Sequence, residues 1–165
     1  MGNGRCKMIY TTLCYIEKDD CYLMLHRVKK KNDINHDKWI GIGGKMESDE
    51  TPEECIIREA FEETGLTLKA PEYRGVLHFC PNRDMEEIIH LYTCDRFSGA
   101  LNEACPEGVP KWVPKKDIYF LPLWEGDKIF LKLLADKNQP FFRLTLDYEG
   151  DRLVSAILDG KELSI

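Results

Sequence analysis

The apolar positions of this chain change period several times, and each change marks an element. In 8–16 (MIYTTLCYI) β-branched and aromatic residues run together, Asp19-Asp20 interrupts them, and 21–28 (CYLMLHRV) resumes, which predicts a hairpin. The polar loop KKKNDINHDK leads into WIGIGG, too rich in glycine for a helix and read as a strand entering a tight loop.

From Thr51 the period lengthens. Thr51 offers a capping hydroxyl, Pro52 suits the first helical position, Glu54 completes a capping box and Gly65 terminates, so a helix of about three to four turns is predicted between them. Ile56, Ile57, Ala60 and Phe61 would form its buried side. Strands are predicted at 66–73, 76–80, 87–97 and 111–113, with turn chemistry such as PNRD between some of them. A second helix at about 125–136 carries Ile129, Phe130, Leu133 and Leu134 at helical spacing. The tail, about 140–159, alternates Phe142, Leu144 and Leu146 before a turn near Glu149-Gly150, as one more hairpin would. Strands mixed with two helices make the expected class α+β.

Composition narrows this picture. At 165 residues, 43% hydrophobic and 32% charged, one domain over 1–165 is expected, with its core at about 7–137 and the terminal hairpin attached to it. No apolar run is long enough for a transmembrane helix. The opening MGNGRCKMIY lacks the apolar core of a secretory signal, and Cys6 stands where a myristoylation motif would want Ser or Thr, so a cytoplasmic protein is expected. The 7 cysteines are odd in number, contain no Cys-x-x-Cys pair and fall mostly at apolar-patterned positions; reduced structural thiols are expected, and neither a zinc site nor a disulfide framework. A net charge of -6 disfavours nucleic-acid polymers as partners. It is compatible with a small anionic ligand if metal ions stand between the two sets of negative charge.

Acidic residues crowd between Gly44 and Leu66. On a helix Glu59, Glu62 and Glu63 stand at i, i+3 and i+4 and share one face, although like charges at that spacing repel by a few tenths of a kcal/mol per pair. A solvated acidic face is one reading, but Arg58 is the only basic residue in the helix to balance it. The preceding loop favours another. Gly41, Gly43 and Gly44 let a ligand approach the backbone, and Lys45 adds a cation beside them. Hard carboxylate oxygens are what magnesium bound to a polyphosphate requires.

Gly44, Glu50 and the run Arg58-Glu59-Ala60-Phe61-Glu62-Glu63-Thr64-Gly65-Leu66 resemble the complete signature of the Nudix hydrolases, only Ala60 being smaller than the bulky aliphatic often found there. Outside the signature, WIGIGGK, EGVPKWVP, PLWEGD and the terminal hairpin are similar to the MutT/MutX-type branch, which hydrolyses oxidised purine nucleoside triphosphates. The resemblance implies a Nudix fold, an α/β/α sandwich around a mixed β-sheet with a C-terminal β-hairpin. It implies Mg²⁺, with Mn²⁺ as a substitute, bound by Glu59, Glu62 and Glu63 with the Gly43 carbonyl as a further ligand. Glu107 resembles the family's extra carboxylate from a distant loop, as metal ligand or base, with Glu103 and Glu87 as acidic neighbours in the same half of the chain. Glu50 and Arg58 would brace the loop against the helix.

Trp124 and Asp127 resemble the family's base pocket, with Thr11 and Ile42 placed in the same lining; Lys45 and Arg27 are the cations expected near phosphate or nucleoside oxygens. Ile40 departs from the pattern. Some purine-oxidation hydrolases carry Asn there to read the base, and an aliphatic side chain has nothing to donate or accept.

The implied activity is attack of a metal-activated water on the triphosphate of 8-oxo-dGTP, giving 8-oxo-dGMP and pyrophosphate, with Glu59 and Glu107 both open as the base. The expected partner is a small nucleotide, with no nucleic-acid polymer and no membrane. A second reading is another nucleoside diphosphate derivative such as ADP-ribose, to which Pro81 points faintly. A third is a catalytically silent nucleotide-binding module, which would predict a broken carboxylate cluster. The terminal hairpin suits either covering its own sheet or extending a partner's edge, so monomer and homodimer both stay open.

Overall fold

The computed structural model describes residues 6–28, 32–103 and 105–165. Residues 1–5, which belong to the segment read for targeting signals, and the lysines 29–31 of the polar loop lie outside the described residues. Strands β1 (Lys7–Lys18) and β2 (Cys21–His26) form the expected hairpin. Its turn is Asp19-Asp20, both at positive φ, 50° and 61°. Such a left-handed pair matches the twist of the flanking strands, and Asp tolerates it better than most residues.

After β3 (Trp39–Ile40) and β4 (Ile42–Lys45) comes α1 (Pro52–Thr64). Its capping box is complete: Glu54 N–H donates to Thr51 Oγ1 at 3.1 Å and Thr51 N–H to Glu54 Oε1 at 3.0 Å. Gly65, at φ 81°, ends it in the left-handed region. The single strand expected over 66–73 is broken, because Ala70 turns left-handed (φ 49°) between β5 (Thr67–Leu68) and β6 (Glu72–Asn82). Then follow β7 (Met85–Cys94), β8 (Phe97–Ser98), β9 (Val109–Pro114), α2 (Glu125–Ala135), β10 (Phe142–Glu149), β11 (Arg152–Leu158) and β12 (Lys161–Glu162). A 3₁₀ helix, Lys115–Phe120, leads from β9 toward α2; the sequence periodicity gave no sign of it.

The main sheet runs β12-β11-β10-β6-β7-β1-β2-β3, with β4 paired to β1 and β9 to β2. It is mixed: β1 lies parallel to β7 and β10 parallel to β6, while the hairpins are antiparallel. The terminal hairpin therefore extends the chain's own sheet, Leu144 standing opposite Leu77.

Alternation along β1 divides the core. Tyr15 joins Leu77, Phe130, Leu131 and Phe142 on the face covered by α2, and Cys14 and Ile16 join Ile42, Ile56 and Ala60 beneath α1. One helix on each face of a mixed sheet is the expected α+β sandwich. Phe61, expected in the buried side of α1, is 58% exposed. The helix packs mainly on the short strand β4, which covers only a narrow stripe through Cys55, Ile56, Ala60 and Glu63. No helix among the described residues is long and apolar enough to cross a membrane.

Candidate active site

Strand β4 joins the two halves of the site. Antiparallel to β1, it sets Lys45 opposite Thr11, Gly44 opposite Thr12, Gly43 opposite Leu13 and Ile42 opposite Cys14. Opposed residues share a face of the sheet, so Thr11, Leu13, Gly43 and Lys45 look one way while Thr12, Cys14, Ile42 and Gly44 look toward α1. The glycines are required by contact. A Cβ on Gly43 would collide with the Thr12 carbonyl oxygen, and one on Gly44 with the carboxylate of Glu59.

On the α1 side the carboxylates sit at unequal depth. Glu62 is exposed, 57% by its side chain, with Arg58 Nη1 at 3.3 Å. Glu59 lies over Gly44 and accepts from Arg58 Nη1 at 2.8 Å. Glu63 is buried, and its Oε2 has no hydrogen-bond partner among the described residues. Burial, then the charges of Glu59 and Glu107, push its carboxyl up to about 9. Glu107, whose charge acts on Glu63, stands in a turn closed by reciprocal Cys105 and Gly108 backbone hydrogen bonds of 3.0 and 3.2 Å. An orphaned carboxylate oxygen among like charges fits a divalent cation, since only hard oxygen donors are assembled and the cation would relieve their repulsion. Glu103 is exposed.

Arg58 braces this arrangement. It grips Glu50 through two bonds, Nε to Oε2 at 2.7 Å and Nη2 to Oε1 at 2.9 Å, and donates to the Lys45 carbonyl at 3.1 Å. The guanidinium holds the Glu50 carboxyl down to about 2. The loop-to-helix brace expected from the sequence is present in this geometry.

On the other side of β4 lies a cavity of about 250 Å³. Thr11, Arg27, Lys45, Trp124 and Asp127, the residues expected near the nucleotide, line it, and so does Gly43, expected as a metal ligand. Ile42 does not. It is fully buried beneath α1, because its place opposite Cys14 puts it on the other face. Ile40 takes part in the lining instead.

Trp124 serves both core and cavity. It is 4% exposed, packs edge-on against Phe79 and Tyr148, lies under the Lys38 ammonium at 4.8 Å, and donates from Nε1 to Asn35 Oδ1 at 2.7 Å. Asp127, in the first turn of α2, has its carboxyl pushed up to about 8 by burial, with Lys38 opposing and Glu87 adding to the rise. Arg27 donates to Asp33 at 2.7 Å, and its charge partly offsets that of the Glu63 surroundings.

Asn35 and Glu87 are among the lining residues that escaped the sequence reading of this pocket. Glu87 accepts from Thr11 Oγ1 at 2.7 Å, and burial raises its carboxyl against the pull of that bond and of Lys45. A signal existed: Glu87 occupies the same parity as Ile89 and Leu91 in β7, where a core-facing strand position rarely holds a carboxylate. Asn35 had none, since its contact with Trp124 joins a loop to a residue far along the chain. A roomier groove of about 590 Å³ near Glu17, Asp95 and Lys115 contains none of these residues.

Residues 9–134 match the NUDIX domain. The chain is 30% identical over 158 residues to the uncharacterised Nudix hydrolase YvcI of Bacillus subtilis (strain 168), covering 92% of this chain and 95% of that one. It is 31% identical over 111 residues to a Danio rerio protein described as oxidized purine nucleoside triphosphate hydrolase, covering 67% of this chain and 70% of the relative. Its fold is similar to the crystal structure of a mutator MutT protein from Bacillus halodurans, with a TM-score of 0.80 and 29% identity, over 92% of this chain and 97% of the other.

Proposed function

The chain belongs to the Nudix family of hydrolases, and we propose that it is a Mg²⁺-dependent pyrophosphohydrolase of oxidised purine nucleoside triphosphates, converting 8-oxo-dGTP to 8-oxo-dGMP and pyrophosphate. One observation carries this reading: the cavity beside Trp124 and Asp127 and the cluster of Glu59, Glu63 and Glu107 adjoin through the same glycine strand. A base in the first extends its triphosphate to the second. The description of the zebrafish relative supports the substrate class.

Glu59, Glu63 and Glu107, with Glu62 and the Gly43 carbonyl beside them, are the groups that hold the divalent cation. When bound, it neutralises charge on the phosphate chain and lowers the pKa of the attacking water. Glu59, oriented by Arg58, and Glu107 are the two candidates to accept the water's proton. Lys45 and Arg27, which flank the cavity, bind phosphate oxygens.

In the cavity Asp127 stays protonated at neutral pH, so one carboxyl offers both an O–H donor and a carbonyl acceptor. An 8-oxopurine bears an N7–H donor and a C8 carbonyl where the parent purine has only an N7 acceptor, so its edge wants such mixed partners. Asn35 supplies the amide missing at Ile40, and Glu87 a further acceptor. All 7 cysteines are free thiols, which suits action in the reducing cytoplasm.

The test is steady-state pyrophosphate release with Mg²⁺ on 8-oxo-dGTP, dGTP, other nucleoside triphosphates and ADP-ribose, with Glu63→Gln as the inactive control. The expected result is a kcat/KM for 8-oxo-dGTP about tenfold or more above dGTP. Equal rates on many triphosphates, or turnover of ADP-ribose alone, would retire the substrate assignment.

A further inference from the structure

Strand alternation sends Leu77 and Phe79 of β6 into the core and Glu87 of β7 into the cavity, so His78, Cys80 and Glu86 emerge on the opposite face of the sheet. There their donor atoms all lie within 4.8 Å of one another. His78 Nε2 is 3.6 Å from Glu86 Oε1, too far for a hydrogen bond, and it is buried with no hydrogen-bond partner among the described residues. A buried ring nitrogen in that condition is costly unless something else satisfies it. The β6–β7 register shifts between Phe79 and Asn82, an irregularity beside Cys80 of the kind that re-aims a side chain. Two more donors border the same place. Cys6 and Asp147 line a cavity of about 470 Å³ together with Cys80 and Glu86, and Asp147 stands opposite Cys80 in the β10–β6 ladder.

We propose that His78, Cys80 and Glu86 form a site for a divalent transition-metal ion of the zinc type, separate from the magnesium cluster, its open coordination position turned to the cavity that Cys6 and Asp147 border. The donor set decides the metal class: one imidazole, one thiolate and one carboxylate suit zinc and its neighbours, whereas magnesium takes oxygen alone. Binding would displace the Cys80 proton, since only the thiolate ligates. Metal binding would tie β6 to β7 next to Glu87, which lines the nucleotide cavity on the other face. The sequence pattern argued against a zinc site because paired ligands such as Cys-x-x-Cys are absent. Here the ligands come from neighbouring strands, which only the sheet register brings together.

The experiment is a Co²⁺ titration of the chelator-stripped full-length protein in excess Mg²⁺, followed by thiolate-to-cobalt charge-transfer absorption. One equivalent should produce the band. Cys80→Ser should abolish it, Glu86→Gln should weaken Co²⁺ binding by about tenfold or more, and Glu63→Gln should leave it unchanged. His78, Cys80 and Glu86 are each only partly buried, and melting in chelator checks that the variants fold; should Cys80→Ser unfold, the Glu86→Gln titration tests the same site on its own. No band, an undiminished band in Cys80→Ser, undiminished binding in Glu86→Gln, or loss in Glu63→Gln would overturn the site.

Discussion

Arg58 and Glu50 form a two-pronged ion pair, 2.7 and 2.9 Å, across the junction of the glycine loop and α1, and the same guanidinium reaches Glu59 at 2.8 Å. One side chain thus fixes the loop, the helix and a carboxylate of the proposed metal cluster. Lysine has a single ammonium and cannot reproduce the fork. Arg58→Lys is expected to lose about 1–3 kcal/mol in urea denaturation and to lower kcat/KM. Glu50, with its carboxyl depressed to about 2, contributes stability that is present above its ordinary value near 4 and is lost as pH falls toward 2. The stability difference between wild type and Glu50→Gln should therefore close in acid.

Glu63 should behave in the opposite sense. Its carboxyl is raised to about 9 when no cation is bound, so ionisation opposes folding from the ordinary carboxylate range upward. Glu63→Gln is expected to raise the melting temperature of the cation-free protein at pH 8 by about 2 °C or more. Turnover should fall by about 100-fold or more, and the stabilisation that Mg²⁺ gives the wild type should shrink.

The two glycines of β4 predict different failures. A methyl at Gly44 meets the end of a side chain, the Glu59 carboxylate, so Gly44→Ala should fold yet lose about 100-fold in kcat through displacement of that group. A methyl at Gly43 meets the Thr12 backbone carbonyl, which has nowhere to move within the sheet. Gly43→Ala should be the less stable of the two in thermal melts.

Asp127 makes the pocket sensitive to pH. With its carboxyl at about 8, the protonated form that donates to a base prevails below that value, so affinity for a non-hydrolysed nucleotide analogue should fall as pH rises through 8. The raised value also means that the ligand-free protein loses stability between about pH 4 and 8, at up to about 1.4 kcal/mol per pH unit from this group. Asp127→Asn should flatten both profiles, read by calorimetric binding and by denaturation across pH.

Ile40 and Ile42 separate specificity from packing. Ile42→Ala should cost about 2–5 kcal/mol with little change in KM, because the side chain is fully buried beneath α1. Ile40→Asn places an amide in the cavity lining and should alter the ratio of kcat/KM between 8-oxo-dGTP and dGTP, at a smaller stability cost than Ile42→Ala because Ile40 is only partly buried against the core.

The sequence by itself determined what depends on near neighbours along the chain. Thr51, Pro52, Glu54 and Gly65 bounded α1, the Asp19-Asp20 turn closed the first hairpin, and the spacing of Glu59, Glu62 and Glu63 announced the carboxylates, because caps, turns and helical phase are local physics. Tertiary structure alone decided depth and company. Glu63 is buried and Glu62 exposed on one helix face because β4 covers only part of it. Ile42 went to the core and Ile40 to the cavity because each is paired to a different strand, β1 and β2. Asn35 and Glu87 entered the pocket, and His78 met Glu86, through contacts between segments whose pairing the local pattern does not encode. Strand register sets which face every side chain takes, and register is a property of the assembled sheet.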